Sequence, residues 1–243
     1  MPSLTMGIKV VLCSGRPLAG VKPYLEAIGI QGDNQYAITY NGSVVSSVSG
    51  RTLVALGLSN KTYRAIDQYA QAHHLPYNVL DENSQIYTSN RDVNWVTVVQ
   101  ARENLAGIYV RTPDELPTDF TIVKAVFVGE AAALDQQEPG VKARFGNDFY
   151  VVRAAANFLE IMNPDANKGS GLKNLAENLG LAPENIMAFG DEQNDIPMFD
   201  YAGTAVAMGN GSEAAKAHAD YITASNDDDG IAKALDQLVF AQH

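Results

Sequence analysis

Short runs of β-branched residues and helical repeats of apolar residues alternate at the start of the chain. Residues 7–13 form an apolar run that ends at Ser-Gly-Arg-Pro, which predicts a buried strand. Apolar positions at helical spacing then predict a helix over 17–29. Residues 36–40 predict a second strand, and the Asn41-Gly42 pair predicts a hairpin back through 43–45. Strand, helix and strand in this order indicate a parallel α/β sheet.

The pattern changes in the middle of the chain. Ser59 is placed to cap a helix, and several short strand-like runs follow it with few helices between them. This order indicates a separate α+β domain with an antiparallel sheet. We place this inserted domain at 56–158.

The α/β alternation returns after the inserted domain. Apolar residues repeat at helical spacing over 172–179, and 186–189 predict a buried strand. Two further strands are predicted near 205–208 and 221–223. We therefore predict one parallel-sheet core, built from residues 1–55 and 159–243, that the inserted domain divides.

Polar residues follow the predicted core strands, at the edge where open parallel sheets bind their ligands. These residues are Ser14, Gly15, Arg16, Asn41, Asp191, Asn194 and Asp195, and Lys168 stands at the start of a helix. Asp191 comes directly after a strand and Gly190, and the glycine allows close backbone approach. The carboxylate of Asp191 is the hard oxygen ligand that suits Mg²⁺. Asn194 and Asp195 are placed to face the same ion or to orient its ligands.

Two further groups suit a phosphoryl ligand. Ser14 offers a hydroxyl, with main-chain N–H groups at a helix N-terminus beside it. Lys168 offers a compact positive charge for a phosphoryl group and for the negative charge that develops in its transfer. Together these residues predict a magnesium and phosphate site.

Each residue also has a simpler interpretation. Asp191 alone fits a helix cap after a strand, and Lys168 alone fits a solvated side chain; their combination with Ser14 favours the site. Arg16 can equally pair with a surface carboxylate. Asn41 can equally serve only to shape the hairpin.

Several segments resemble the haloacid dehalogenase (HAD) superfamily, in the order and spacing of its Cof-type sugar-phosphatase branch. They are VVLCSGRP, ITYNGS, NKGSGLKNLAENLG, IMAFGDEQND, TAVAMGNG and SNDDDGIAKAL. The resemblance covers essentially the whole chain. It implies a HAD-like Rossmannoid parallel-sheet core with an inserted α+β cap, and Mg²⁺-dependent hydrolysis of phosphomonoesters.

The resemblance also implies roles for individual residues. Ser14 and Lys168 are then the catalytic residues present, with Ser14, Gly15, Arg16, Asn41, Lys168 and Asn194 on the phosphate or substrate and Asp191 and Asp195 at the metal. The family's first motif, an apolar strand followed by Asp-x-Asp-Gly-Thr, is not found in this chain. The chain begins at the expected second strand, so about thirty residues, one βα unit, are missing from the pattern. That unit would hold the nucleophile, a metal ligand, the proton shuttle and the central strand.

One segment matches the bare Asp-x-Asp-Gly pattern. Asp227-Asp228-Asp229-Gly230 follows three polar or small residues rather than a strand, and Ile231 stands where Thr is expected. We interpret it as a loop that opens the last helix, with Asp satisfying N-terminal N–H groups. Ser14 has no evident base nearby in sequence, so it is a poor substitute nucleophile.

Composition and charge exclude some classes of binding partner. Of 243 residues, 17 are Lys or Arg and 28 are Asp or Glu, and the formal net charge of −11 argues against nucleic acid. No apolar run approaches the roughly 18 residues that span a bilayer, so no membrane partner is expected. The single Cys13 excludes an internal disulfide and fits a cytoplasmic location.

Two hypotheses follow. In the first, the chain is a shortened HAD phosphatase for small phosphorylated metabolites and is inactive or impaired as given. In the second, it is a non-catalytic descendant that binds a phosphorylated metabolite or a protein. In both, the absent central strand predicts exposed strand edges and homo-oligomers that cover them.

Overall fold

The computed structural model describes residues 7–242, apart from the side chain of the last of these. Two compact units divide the chain, one ending at Ala166 and the other beginning at Asn167. Each unit is described by itself below.

A four-stranded sheet lies at the start of the first unit. Its strands, which follow each other in chain order, are β1 Leu12–Cys13, β2 Tyr36–Thr39, β3 Val44–Ser47 and β4 Thr52–Ala55. β1 pairs in parallel with β2, and the other neighbours pair antiparallel. Helix α1, Leu18–Ala27, connects β1 to β2 and buries Val21 and Leu25. This confirms the predicted order of strand, helix and strand.

The first strand is shorter than the sequence predicts. Only Leu12 and Cys13, out of the apolar run 7–13, pair with β2. A strand needs the main-chain groups of its neighbours along its length, and within residues 7–242 β1 has a neighbour on one side only. The apolar pattern predicts extended chain, but the available pairing sets the length of the strand.

The predicted hairpin is present, with a longer turn than the two-residue loop that Asn-Gly favours. A single 3₁₀ turn, Tyr40–Gly42, joins β2 to β3. Tyr40, Asn41 and Gly42 have φ angles of 51°, 54° and 97°. Because left-handed backbone is unfavourable for L-residues, two of them in succession before a glycine make this a strained turn.

A six-stranded sheet forms the rest of the first unit. Its strands are β5 Tyr77–Leu80, β6 Ile86–Thr88, β7 Ile108–Val110, β8 Lys124–Val128, β9 Tyr150–Ala155 and β10 Phe158–Met162. The spatial order is β7-β6-β5-β8-β10-β9, and every pair except β6 with β7 is antiparallel. The predicted antiparallel α+β segment is therefore confirmed, whereas its boundaries at 56–158 stay a prediction.

Helices cover both faces of this sheet. They are α2 Asn60–Ala72, α3 Trp95–Glu103 and α4 Ala131–Phe145. α2 and α4 pack on the face that Ala125 and Phe127 present, and α3 packs on the face of Val126 and Val128. The period-two alternation of a strand puts these neighbours of β8 on opposite faces. At the start of α2, Ser59 Oγ accepts a hydrogen bond from Thr62 N at 3.2 Å, which confirms the predicted cap.

The second unit contains a three-stranded parallel sheet in the order β11-β12-β13. The strands are β11 Met187–Gly190, β12 Thr204–Ala207 and β13 Tyr221–Ile222. The helices are α5 Lys168–Leu179, α6 Ile196–Tyr201, α7 Glu213–Ala217 and α8 Gly230–Leu238. Strands and helices alternate as predicted. No helix within residues 7–242 is both long enough and apolar enough to cross a membrane.

Helices α5 and α6 approach each other closely at Gly169. A Cβ atom at this position would stand 2.2 Å from the carbonyl oxygen of Pro197 and 2.5 Å from its carbonyl carbon. Since these are backbone atoms, the contact cannot be relieved by a rotamer change. The glycine thus allows the first turn of α5 to pack directly on α6.

We predict that Gly169→Ala lowers the free energy of unfolding by about 1–3 kcal/mol, because α5 must move away from α6. Urea denaturation followed by circular dichroism measures the change. Gly129→Ala is the matched control, since a Cβ there meets nothing within 4 Å. Equal stability of the two variants would contradict the tight packing of α5 on α6.

Candidate functional site

The carboxylate of Asp195 organises the polar residues at the carboxyl end of β11. Its Oδ1 accepts from Lys168 Nζ at 2.6 Å, and its Oδ2 accepts from the main-chain N–H groups of Asp191 at 2.9 Å and Glu192 at 3.0 Å. The Asp195 side chain is only 3% exposed. One buried carboxylate therefore fixes both the lysine and the backbone that carries Asp191.

Lys168 is positioned by the start of its helix. Asn167 caps α5, since its Oδ1 accepts from Ser170 N at 2.8 Å. Ser170 Oγ in turn accepts from Asn167 N at 3.1 Å, which completes a reciprocal cap. Lys168 is therefore the first helical residue, and its ammonium group reaches the end of β11 with 11% of the side chain exposed.

Gly190 allows Asp195 to occupy its place. A Cβ on Gly190 would lie 2.4 Å from Cβ and 2.6 Å from Cγ of Asp195. The close backbone approach that the sequence predicts at Gly190 is confirmed, because the Asp195 side chain lies directly against this glycine. Any larger residue would push the carboxylate away from the main-chain donors that it accepts from.

Asp191 is exposed beside this cluster. Partial burial raises the pKa of its carboxyl above the usual range, and repulsion from Asp195 and Glu192 raises it further, while Lys168 lowers it. The ionised carboxylate is thus disfavoured where it stands, so a cation beside it would be stabilising. Among residues 7–242, no three His, Cys, Asp or Glu side chains converge as a metal cluster. Asp191 is a single hard oxygen donor, not a complete cage.

An open depression of about 480 Å³ adjoins Asp191. Met208, Asn210, Asn226 and Ile231 also line it, and Asn226 N donates to Asn210 Oδ1 at 2.9 Å. Sequence reasoning did not select the two asparagines, although each lies in a segment that carried the family resemblance. The signal that could have found them is their position after β12 and β13, at the same edge of the sheet as Asp191.

In the first unit, Ser14, Gly15 and Arg16 form the loop between β1 and α1. Ser14 Oγ accepts from Arg16 N at 3.1 Å, and Ser14 N donates to Ile38 O at 2.9 Å. The loop is thus pinned to β2 and folded on itself before the helix begins. Pro17 is the N-cap of α1 rather than its first helical residue.

Asn41 lies against this loop. Its main-chain N–H donates to Ser14 O at 3.0 Å, and a Cβ on Gly15 would stand 3.1 Å from both Oδ1 and Nδ2 of Asn41. Asn41 therefore does more than shape the hairpin, since its amide group abuts the Ser14 loop. Arg16 is exposed and forms no ion pair with any carboxylate in the described part of the chain.

The structure thus gathers the predicted residues into two clusters. Lys168, Asp191 and Asp195 meet in the second unit, where Asn194 is exposed in the same 3₁₀ turn as Asp195. Ser14, Gly15 and Asn41 meet in the first unit. That the two clusters form one site stays a prediction.

The segment Asp227-Asp228-Asp229 opens the last helix, as predicted. Residues 226–228 form a 3₁₀ turn, and Asp229, with φ 55°, stands directly before α8. One expectation is wrong: Asp229 makes no side-chain capping hydrogen bond. Its left-handed backbone turns the carboxylate away from the positions that an N-cap side chain bonds, and Asp228 instead accepts from Ser225 Oγ at 2.6 Å.

Comparison with known proteins agrees with this architecture. Residues 4–235 match the profile of the haloacid dehalogenase-like hydrolases, and the chain belongs to that family. YxeH of Bacillus subtilis (strain 168) is 32% identical over 237 residues, which is 97% of this chain and 87% of YxeH. YxeH is named a putative phosphatase, and several other relatives are named phosphatases or putative phosphatases.

Solved structures show the same fold. A haloacid dehalogenase-like hydrolase from Bacteroides thetaiotaomicron superposes with a TM-score of 0.85 at 30% identity, over 96% of this chain and 88% of that one. A HAD subclass IIB sugar phosphatase superposes with a TM-score of 0.75 at 22% identity, over 97% of this chain and 87% of that one. The second likeness concerns the fold alone.

We predict that Asp191→Asn makes the protein more stable at neutral pH in the absence of divalent cations. Because the folded pKa of Asp191 is raised, its contribution to stability is present below the ordinary pKa of aspartate and is lost as the pH rises through the raised value. The gain of the variant should therefore vanish in acid. Urea denaturation of the parent and the variant at neutral and acid pH measures the gain in the free energy of unfolding and its loss in acid.

Asp236→Asn is the matched control, because Asp236 is an exposed carboxylate on α8 of the same unit. It should change stability little at either pH. If Asp191→Asn were less stable than the parent at neutral pH, the repulsion ascribed to this cluster would be ruled out.

Proposed function

We propose that the chain carries the site of a Mg²⁺-dependent phosphatase for small phosphorylated metabolites such as sugar phosphates. The observation that carries the proposal is the cluster of Lys168, Asp195 and Asp191 at the carboxyl end of β11. It combines a fixed ammonium group with an exposed carboxylate at the edge of a parallel sheet where ligands bind. Membership of the HAD hydrolases supports hydrolysis as the reaction class.

The residues present fit a magnesium ion. Asp191 is an exposed hard oxygen donor whose pKa is raised by partial burial and further by nearby negative charge. Mg²⁺ is commonly held by one or two carboxylates with water and substrate phosphate. When bound, the ion would supply positive charge to the phosphoryl oxygens. Asp195 has both oxygens engaged by protein donors, so it would act by holding Asp191 and Lys168 rather than by direct ligation.

The other residues would bind and orient the phosphoryl group. Lys168 would place its ammonium group on phosphoryl oxygens and offset the charge that develops on them. Asn194 would assist Lys168 in the second unit. In the first unit, Ser14 and the amide of Gly15, at the start of α1, would donate hydrogen bonds to a phosphoryl group, with Asn41 and Arg16 around them.

No Asp-x-Asp-Gly-Thr run occurs anywhere in the 243 residues. Without that nucleophile, the chain as given should hydrolyse phosphomonoesters poorly or not at all. The same observation favours a second candidate function, a non-catalytic protein that binds a phosphorylated metabolite or a protein partner. A phosphatase and a metabolite-binding protein both require phosphate binding that depends on Lys168, whereas a protein-binding role does not. Only the phosphatase requires turnover.

We predict that sugar phosphates bind in the presence of Mg²⁺, and that Lys168→Ala weakens the binding by about tenfold because a charged hydrogen bond is lost. Isothermal titration calorimetry with glucose 6-phosphate measures the affinity. Lys173→Ala is the matched control, since Lys173 lies on the same helix with 58% of its side chain exposed. Absence of binding at millimolar ligand would contradict both the phosphatase and the metabolite-binding protein, and would leave only the protein-binding role.

Measurement of turnover separates the phosphatase from the non-catalytic binding protein. The parent chain should release little or no p-nitrophenol from p-nitrophenyl phosphate. Robust Mg²⁺-dependent hydrolysis that Asp191→Ala abolishes would show that the chain reaches phosphorus without the missing motif, and would remove the non-catalytic alternative.

The open edges of the two small sheets support self-association. Ile186 O and Gly190 O bond to the strand beside β11, so Met187 and Phe189 point their main-chain groups to the other side. Within residues 7–242, no strand pairs with that side. Unpaired strand edges readily accept a strand from another chain. We include such homo-oligomers, and a cytoplasmic location, in the proposal.

We predict that the molar mass from light scattering rises with protein concentration, and that the amide protons of Met187 and Phe189 exchange more slowly in the oligomer. The Ala188 amide is the internal control, because the alternation directs it to β12 in every state. A concentration-independent monomer whose Met187 and Phe189 amides are already protected would refute the open edge.

A further inference from the structure

A buried ion pair joins two neighbouring strands of the six-stranded sheet in the first unit. Lys124 Nζ in β8 is 2.5 Å from Glu160 Oε1 in β10, and the two side chains are 7% and 5% exposed. Glu160 Oε2 is buried without a hydrogen-bond partner among residues 7–242. Apolar residues of similar volume often stabilise a core as well as such a pair does, so stability alone does not account for it.

Tyr40 lies next to this pair. Lys124 Nζ is 6.0 Å from the centroid of the Tyr40 ring, within the range of a cation–π interaction. The Tyr40 hydroxyl donates to Asp81 O at 2.8 Å, and the residue is only 1% exposed. Tyr40 is therefore held at the face of its ring and at its hydroxyl.

Tyr40 is also the first residue of the left-handed turn Tyr40–Gly42. Its N–H donates to Arg16 O at 3.1 Å, and the next N–H, of Asn41, donates to Ser14 O at 3.0 Å. A backbone conformation that these residues disfavour persists only where surrounding contacts hold it. The polar contacts of the Tyr40 side chain come from Lys124 in β8 and from Asp81 in the loop after β5, and apolar residues such as Val44 and Leu80 pack in the same cluster.

We propose that the Lys124–Glu160 pair is a positioning element which, through Tyr40, holds the turn Tyr40–Gly42 and with it Asn41 against the Ser14 loop. Lys124 supplies the positive charge at the Tyr40 ring, and Glu160 allows that charge to stay buried. The inference rests on the proposed function only for the phosphate-binding role of the Ser14 loop. Lys124 and Glu160 themselves need not touch a substrate.

The double variant Lys124→Met/Glu160→Met tests the proposal, because it removes the cation without leaving an unpaired buried charge. We expect the Tyr40 and Asn41 amide protons to exchange about tenfold faster than in the parent, the size of effect that loss of a cation–π contact gives. Amides of Ala125 and Phe127, in the same sheet, should keep their exchange rates. Hydrogen exchange read by NMR measures all four.

Three further variants complete the test. Tyr40→Phe, which loses only the bond to Asp81 O, should give the same selective change and serves if the double variant does not fold. Lys124→Arg keeps a cation and should retain the parent rates. Lys142→Met is the matched control, since it breaks a Lys–Glu pair on α4 whose lysine is exposed. Unchanged Tyr40 and Asn41 rates, or a uniform increase across the sheet, would overturn the proposal.

A phosphate titration separates the phosphate-binding role of the Ser14 loop from the positioning role of the ion pair. The Gly15 amide shift, followed against inorganic phosphate, should respond in the parent and respond at higher concentration in the double variant. If the parent does not respond at all, the phosphate role of the Ser14 loop fails, and the exchange rates alone still decide whether the ion pair positions Asn41.

Discussion

The carboxylate of Asp195 is the group on which the polar edge of the second unit depends. It is buried, and it takes one charged and two main-chain donors, which together satisfy both of its oxygens. Gly190 is required because no Cβ fits beside it, and the cap on α5 is required because it sets where Lys168 begins its helix. Three separate elements of sequence, 167–170, 190–192 and 195, are therefore constrained by a single carboxylate.

The hydrogen bonds of Asp195 explain how the site can be built on short elements. β11 and the 3₁₀ turn after it are each only a few residues long, so neither would hold its conformation alone. The hydrogen bonds from Asp191 N and Glu192 N to Asp195 close that turn onto the strand, and the ion pair ties it to α5. Rigid placement of Asp191 thus arises from side-chain bonding rather than from long secondary structure.

Much of the fold and of the candidate site could be predicted from the sequence. The predictions that were wrong share a cause, because each depends on contacts outside the local sequence pattern. The strand and helix order, the Ser59 cap and the close approach at Gly190 follow from local patterns that the structure confirms. The predicted length of β1 was wrong, because the length of a strand is set by its pairing with another strand. The predicted side-chain cap by Asp229 was wrong, because the φ angle of 55° at this residue depends on the turn around it.

The least predictable features are long-range pairs between residues that look ordinary alone. Lys124 and Glu160 are separated by 36 positions, and each reads as a polar residue in an apolar strand until the register of β8 and β10 brings them together. Tyr40 reads as a strand residue, yet it begins the turn. Local patterns carry the fold, whereas the contacts that shape a site come from register and packing.

Charge gives these local contacts their importance. A net charge of −11 repels phosphate esters at long range, and salt screens that repulsion beyond about 10 Å, so affinity must come from groups near the ligand. The charge of Lys168 is already balanced by Asp195, and Asp191 adds a further negative charge beside them. The cluster by itself is therefore not cationic. In the proposed function, a divalent cation on Asp191 would offset this negative charge for a dianionic phosphate. The pKa of Asp191 is raised first by partial burial and then by the neighbouring carboxylates, and the second of these causes belongs to the same surplus of negative charge.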